Sequence, residues 1–218
     1  METSPQVYAK IAGVLLVISI LAGGFGEMFV VSKLVTDNAT TTVQNILSHE
    51  SLYRLGFASY LIEAICDVSL VLVLYLLVRP VNKTMASLTI LFGLVSVITF
   101  AFAELFYIAA LLILDGDFLT SFSADQVNSL AMFSIKLYGY AAGVFMLFYG
   151  LATLLRGYLI FQSGYLPKFL GILLIFGGTC FVMRNFLLVL APGYASNYLL
   201  LPTAIAILTL SLWLLTKG

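Results

Sequence analysis

The sequence predicts an all-α polytopic bundle of six transmembrane helices, forming a single integral membrane domain over 1–218. Three observations carry that reading. Of the 218 residues, 62% are hydrophobic and 9% charged, and the mean hydropathy is +1.11. Water-soluble domains average about 45–50% apolar and about 25% charged residues, so this chain has too little polar surface to cover a globule in water. Six apolar stretches reach the roughly 20 residues that a helix needs to cross a hydrocarbon core of about 30 Å. Each stretch ends at charge, Gly or Pro, the residues that break a helix ladder.

In chain order the crossings fall at about 10–34, 53–78, 84–114, 126–162, 167–190 and 196–216. The first follows Met1-Glu2-Thr3-Ser4-Pro5-Gln6, which lacks a positive charge, and its apolar run is too long for a cleaved leader; the expectation is a retained helix. About 39–50, Val43, Ile46 and Leu47 recur at helical spacing among Thr, Gln, Asn and Ser, the pattern of a short helix on the outer membrane surface. That segment carries the single histidine, His49. Arg79-Pro80-Val81-Asn82-Lys83 separates the second and third crossings, and Asp115-Gly116-Asp117 turns the chain after the third. Ser123-Ala124-Asp125-Gln126 has capping-box spacing and opens the fourth crossing. Ser163-Gly164-Tyr165-Leu166-Pro167 and Ala191-Pro192-Gly193 bound the fifth. The length of the third and fourth segments implies tilt or protrusion.

Lys10, Arg79, Lys83, Arg156, Lys168 and Lys217 fall on one side of this scheme, while Asp37, Glu50, Asp115, Asp117 and Asp125 share the other with Lys33 and Arg54. The positive-inside rule then places both termini in the cytoplasm. Ten Lys+Arg balance ten Asp+Glu without a basic patch, which excludes nucleic acid as a partner. The expected partners are the lipid bilayer and, at the charged layer described next, a small molecule.

Six ionisable residues lie inside the crossings: Glu27, Glu63, Asp67, Glu104, Lys136 and Arg184. A charge near a helix centre costs at least about 2.5–3.5 kcal/mol, so such residues face inward and find partners. At 1.5 Å per residue from the basic end, Asp67 is about 18 Å deep, Glu63 about 24 Å, and the others roughly 24–32 Å. Five helices thus contribute to one layer in the outer half. Glu63 and Asp67 share a helix face with Tyr60 one turn away. Tyr107, Tyr138, Tyr140 and Asn185 are near enough in sequence to complete a hydrogen-bond network. Four carboxylates against two cations leave a negative excess, to be met by a proton, a bound cation or water.

Three functions fit these residues. The first is an outward-facing polar cavity that binds, and by extension transports, a small polar or cationic molecule, with proton coupling through a carboxylate. The second is purely structural or partner-binding, with the charges locking helix packing. The third is an enzyme acting on lipid, with Glu63 and Asp67 dividing acid and base roles. No catalytic residue, metal ligand set or cofactor motif supports the third. One histidine cannot furnish a zinc site, no G-x-S-x-G accompanies a serine, and Cys66 and Cys180 both lie in apolar runs. The apolar cytoplasmic halves of the helices favour a blind cup over a channel.

Gly24-Phe25-Gly26-Glu27-Met28-Phe29 and Ala101-Phe102-Ala103-Glu104-Leu105-Phe106 share a pattern, with Ser19 and Ser96 each eight residues before the Glu and Arg184 in the matching place of the fifth helix. Three hairpins in parallel repeat would produce it.

Ser51-Leu52-Tyr53-Arg54-Leu55-Gly56-Phe57, Leu74-Tyr75-Leu76-Leu77-Val78-Arg79-Pro80-Val81-Asn82 and Gly157-Tyr158-Leu159-Ile160-Phe161-Gln162-Ser163-Gly164-Tyr165-Leu166-Pro167 resemble the membrane family called domain of unknown function 4386. The likeness extends over nearly the whole chain. It implies a six-helix protein of the bacterial inner membrane and carries no activity, cofactor or site residue with it.

Overall fold

A computed structural model describes residues 5–116 and 119–218, so Asp117 of the expected turn lies outside the described residues. We label the helices α1 (Pro5–Leu34), α2 (Ala39–Ser48), α3 (Glu50–Val78), α4 (Lys83–Leu114), α5 (Ala124–Gln162), α6 (Lys168–Leu190) and α7 (Leu201–Lys217). No strand occurs among the described residues. All but α2 are long and apolar enough to cross a membrane, α7 together with the 3-10 turn Asn197–Leu200 that leads into it.

Local chemistry sets the helix starts. The Asn38 side chain accepts from Thr41 N at 2.9 Å to open α2, and Asn82 accepts from Met85 N at 3.0 Å to open α4. Ser123 and Gln126 form a reciprocal capping box at α5. Between α5 and α6 the chain reverses at Gly164, whose φ of 70° is open to glycine at no steric cost.

Each long helix packs on its neighbour in the chain, and α7 closes the ring against α1. The outside of the ring is apolar: Leu21, Ile65, Phe133 and Val189 are all more than 60% exposed. A surface of this kind is stable only against lipid, where every backbone polar group is already satisfied within its helix.

Inside, apolar packing forms two blocks. One, at the end that carries Arg79 and Lys217, draws Leu16, Leu74, Leu159, Leu170 and Leu210 from five helices. The other, at the acidic end, is built on Val30, Ile46, Tyr53, Phe100, Tyr107 and Tyr138. A polar belt lies between them.

Small residues bring the helices close enough to position that belt. Along α1 and α3 the antiparallel pairs are Ser19 with Asp67, Gly23 with Glu63, Gly26 with Tyr60, and Val30 with Gly56. A methyl group on Gly26 would lie 2.5 Å from the Tyr60 ring, so only hydrogen fits there. Along α5 and α6, Gly143 faces Asn185, Gly150 faces Gly178, and Gly157 faces Gly171, a seven-residue repeat of close backbone approach. Gly139 has open space around it and takes no part in this seam.

At the acidic end α2 packs over α5 and buries Thr42, Val43 and Ile46. His49 follows it, with Nδ1 3.1 Å from the Asn45 carbonyl, and terminates the helix. With 39 residues, α5 is about 58 Å long and overruns the bilayer core.

Candidate functional site

Glu27 sits in a π-helical stretch, Phe25–Val31, within α1. Such wide turns are rare and concentrate at functional sites. The stretch turns Glu27 to an exposed position, and its Oε2 accepts from Tyr60 Oη at 3.2 Å. Glu63, one turn along α3 from Tyr60, lies half-buried with its carboxylate against Gly23 and no hydrogen-bond partner among the described residues. Glu104 is 2% exposed, and neither carboxylate oxygen has a partner among the described residues. It lies within electrostatic reach of both Glu27 and Glu63.

Four tyrosines wall this group. Tyr53 and Tyr107 stack at 4.1 Å between centroids, and each hydroxyl donates to the other's backbone carbonyl, at 2.7 and 3.0 Å. Tyr60 meets Tyr107 edge-on at 5.6 Å, and Tyr138 packs against both at 6.0 and 5.5 Å. Tyr53 was not among the residues singled out from the sequence. Its signal was available, because Tyr53, Tyr60 and Asp67 recur every seven residues on one face of α3.

Asp67 belongs to a second, deeper arrangement. Its Oδ1 accepts from Ser19 Oγ at 2.9 Å, and it shares a cavity of about 20 Å³ with Arg156 and Tyr149. That volume suits one water molecule. Arg156, counted from the sequence among the cations of the cytoplasmic side, is 8% exposed and six residues inside the end of α5. No direct ion pair closes between it and Asp67; the ion pairs among the described residues are Arg54 with Glu50 at 2.6 Å and with Asp115 at 3.2 Å, all exposed.

Arg184 is half-buried near the acidic end of α6, where it donates to Asn197 Oδ1 at 2.9 Å and lies within electrostatic reach of Glu27. Asn185 instead bonds the Phe181 carbonyl at 2.8 Å. Lys136 and Tyr140 are exposed on α5, because the opposite face, with Ser134, Ile135 and Tyr138, packs inward; Ser134 bonds the Phe106 carbonyl of α4 at 2.7 Å. The structure therefore brings Glu27, Tyr60, Glu63, Glu104 and Tyr107 together, sets Arg184 at their edge, places Asn185 in the α5–α6 seam opposite Gly143, moves Asp67 to Arg156, and leaves Lys136 and Tyr140 outside. Among the described residues no His, Cys, Asp and Glu converge as a metal-binding group.

The last crossing is short and ends near the level of the site. The α7 helix touches α1 near the basic end, where a methyl group on Gly13 would lie 2.8 Å from Leu215 Cγ. Running antiparallel, α7 begins at Leu201, about level with Glu27, and its upper end leans on α6, with Thr203 Oγ1 bonded to the Gly177 carbonyl at 2.7 Å. Above α7 lie the 3-10 turns Pro192–Tyr194 and Asn197–Leu200 of the α6–α7 connection, which pack on α6, and Arg184 is held there by Asn197 within electrostatic reach of Glu27.

The ring of crossings with a charged inner belt defines an integral membrane bundle. Residues 11–218 match the family model described as Domain of unknown function (DUF4386), and the chain belongs to that family. It is 32% identical, over 154 residues, to a protein of Archaeoglobus fulgidus described as uncharacterized, covering 71% of this chain and 78% of that one. No solved structure matches.

Proposed function

We propose that this is a multi-pass protein of the inner (plasma) membrane, with both termini in the cytoplasm, that binds a small cation from the outside at Glu27, Glu63 and Glu104. The observation that supports it is Glu104: a carboxyl group held 2% exposed with neither oxygen partnered among the described residues, in a layer already rich in acid. A bare charge so placed costs several kcal/mol in a low-dielectric interior, at least about 2.5 kcal/mol even on insertion scales. A positive species removes that cost. Glu27, exposed at the acidic end, is the first contact, and the tyrosine faces favour an organic ammonium ion over a small hydrated one. Protons compete for the same oxygens, so binding weakens as pH falls.

Thermal unfolding of the purified protein in detergent, with choline chloride against sodium chloride at equal ionic strength, tests this. Choline is expected to raise Tm in a saturable way, less at pH 5.5 than at pH 8, and Glu104→Gln is expected to abolish the rise. No choline-specific rise in the wild type, or an undiminished one in Glu104→Gln, would overturn the reading.

A structural role is the second reading, and the Ser19–Asp67 bond favours it for the deeper arrangement. It predicts that substitutions in the belt lower Tm without altering any response to choline.

A further inference from the structure

At the basic end a groove of about 740 Å³ opens between the start of α1, the end of α3, the α5–α6 turn and the end of α7. Arg79 and Lys217 stand at its rim, both exposed, and among the described residues no acidic side chain lines it. Both ion pairs among the described residues are at the other end, and neither of these two cations is paired with a described acidic residue. Tyr8, Tyr165 and Trp213 complete the wall above a floor of Leu76 and Leu77. The Tyr165 hydroxyl donates to the Leu77 carbonyl and ties the α5–α6 turn to the end of α3, which fixes the groove's shape. Burial raises the Tyr165 phenol above its ordinary range and keeps it a neutral donor.

We infer that this groove binds an anionic phospholipid, with its phosphate between Arg79 and Lys217 and its chains along Leu76, Leu77 and Trp213. The position is that of a membrane–water boundary, where Trp and Tyr gather and Lys and Arg meet the headgroups. Basic pockets between helices at this level hold anionic headgroups. The volume falls within the range of about 300–1,000 Å³ typical of ligand sites. The apolar floor distinguishes a lipid from a free anion, which would gain nothing from Leu76 and Leu77. The inference is independent of the carboxylate layer.

Binding of phosphatidylglycerol to the detergent-solubilised protein, read by native mass spectrometry, tests it against phosphatidylcholine of the same chains and against inorganic phosphate. Phosphatidylglycerol is expected to bind at least ten-fold more tightly than phosphatidylcholine. Each of Arg79→Gln and Lys217→Gln is expected to weaken it about five-fold, the effect of one cation near the surface. Arg79→Lys should retain binding, and Lys168→Gln, at the same end but off the groove, should leave it unchanged. Equal binding of the two lipids, or an equal loss in Lys168→Gln and Arg79→Gln, would overturn the groove as the site. Phosphate binding as tightly as phosphatidylglycerol would overturn the lipid as its occupant.

Discussion

Asp67 and Arg156 come from α3 and α5, helices that barely touch, yet their side chains share one cavity near the middle of the bundle. Each alone would be an uncompensated charge in a low-dielectric interior, and breaking such a pair from one side typically costs about 3–5 kcal/mol. Arg156→Gln is therefore expected to lower stability by about that amount. Asp67→Asn should cost less, because Ser19 still has an amide oxygen to donate to. The double variant should be more stable than the sum of the two, with a coupling of about 1–3 kcal/mol. A double-mutant cycle by chemical or thermal unfolding in detergent measures it, and strict additivity would show that the two groups do not interact. At this scale the sequence was legible in kind and not in pairing. Spacing along α3 put Tyr60, Glu63 and Asp67 on one face, where the structure has them. Which cation answered Asp67 was not readable, since depth along separate helices says nothing of which faces meet. Arg156 was counted with the cytoplasmic-side cations although it lay inside its own apolar segment, and Lys136 was counted inside although α5 turns it outward.

Among the elements, the seam between α5 and α6 is the most constrained. A methyl group on Gly157 would meet Ile175 N at 2.7 Å and Gly171 O at 2.8 Å, and one on Gly178 would meet Gly150 O at 2.7 Å. Backbone atoms cannot swing aside as a side-chain tip can. Gly157→Leu is expected to cost about 3 kcal/mol through forced separation of the helices. Gly139→Ala, in open space on the same helix, should be neutral or stabilising by up to about 1 kcal/mol from helix propensity. Unfolding of both variants in detergent checks the contrast, and equal effects would mean that the seam does not hold the helices. Helix starts were legible because caps are local: Asn82, Ser123 and Gln126 act within one turn of where they stand. The π-helical stretch at Glu27 was not, since it depends on how α1 lies along Tyr60 and Glu63. Ser19 and Ser96, matched in the sequence pattern, do different things. One bonds a carboxylate, the other the Phe145 carbonyl at 3.3 Å.

For the whole molecule the consequential quantity is the direction in which the bundle sits. The proposed orientation puts the exposed Glu27 towards the outside and the groove of Arg79 and Lys217 against the cytoplasmic leaflet. It rests on the asymmetry of Lys and Arg between the two ends, which acts during insertion and is independent of how the helices later pack. Single cysteines test it with little background, because Cys66 and Cys180 are both buried. Ser121, at the acidic end, and Gln162, at the basic end, are exposed. In intact cells Ser121→Cys is expected to react with a membrane-impermeant maleimide, and Gln162→Cys only after lysis. The opposite pattern would turn the molecule over. The carboxylate layer would then draw its cation from the cytoplasm, and the basic groove would meet the outer leaflet. Labelling at both positions without lysis would show insertion in two directions, which the one-sided run of Lys10, Arg79, Lys83, Lys168 and Lys217 disfavours.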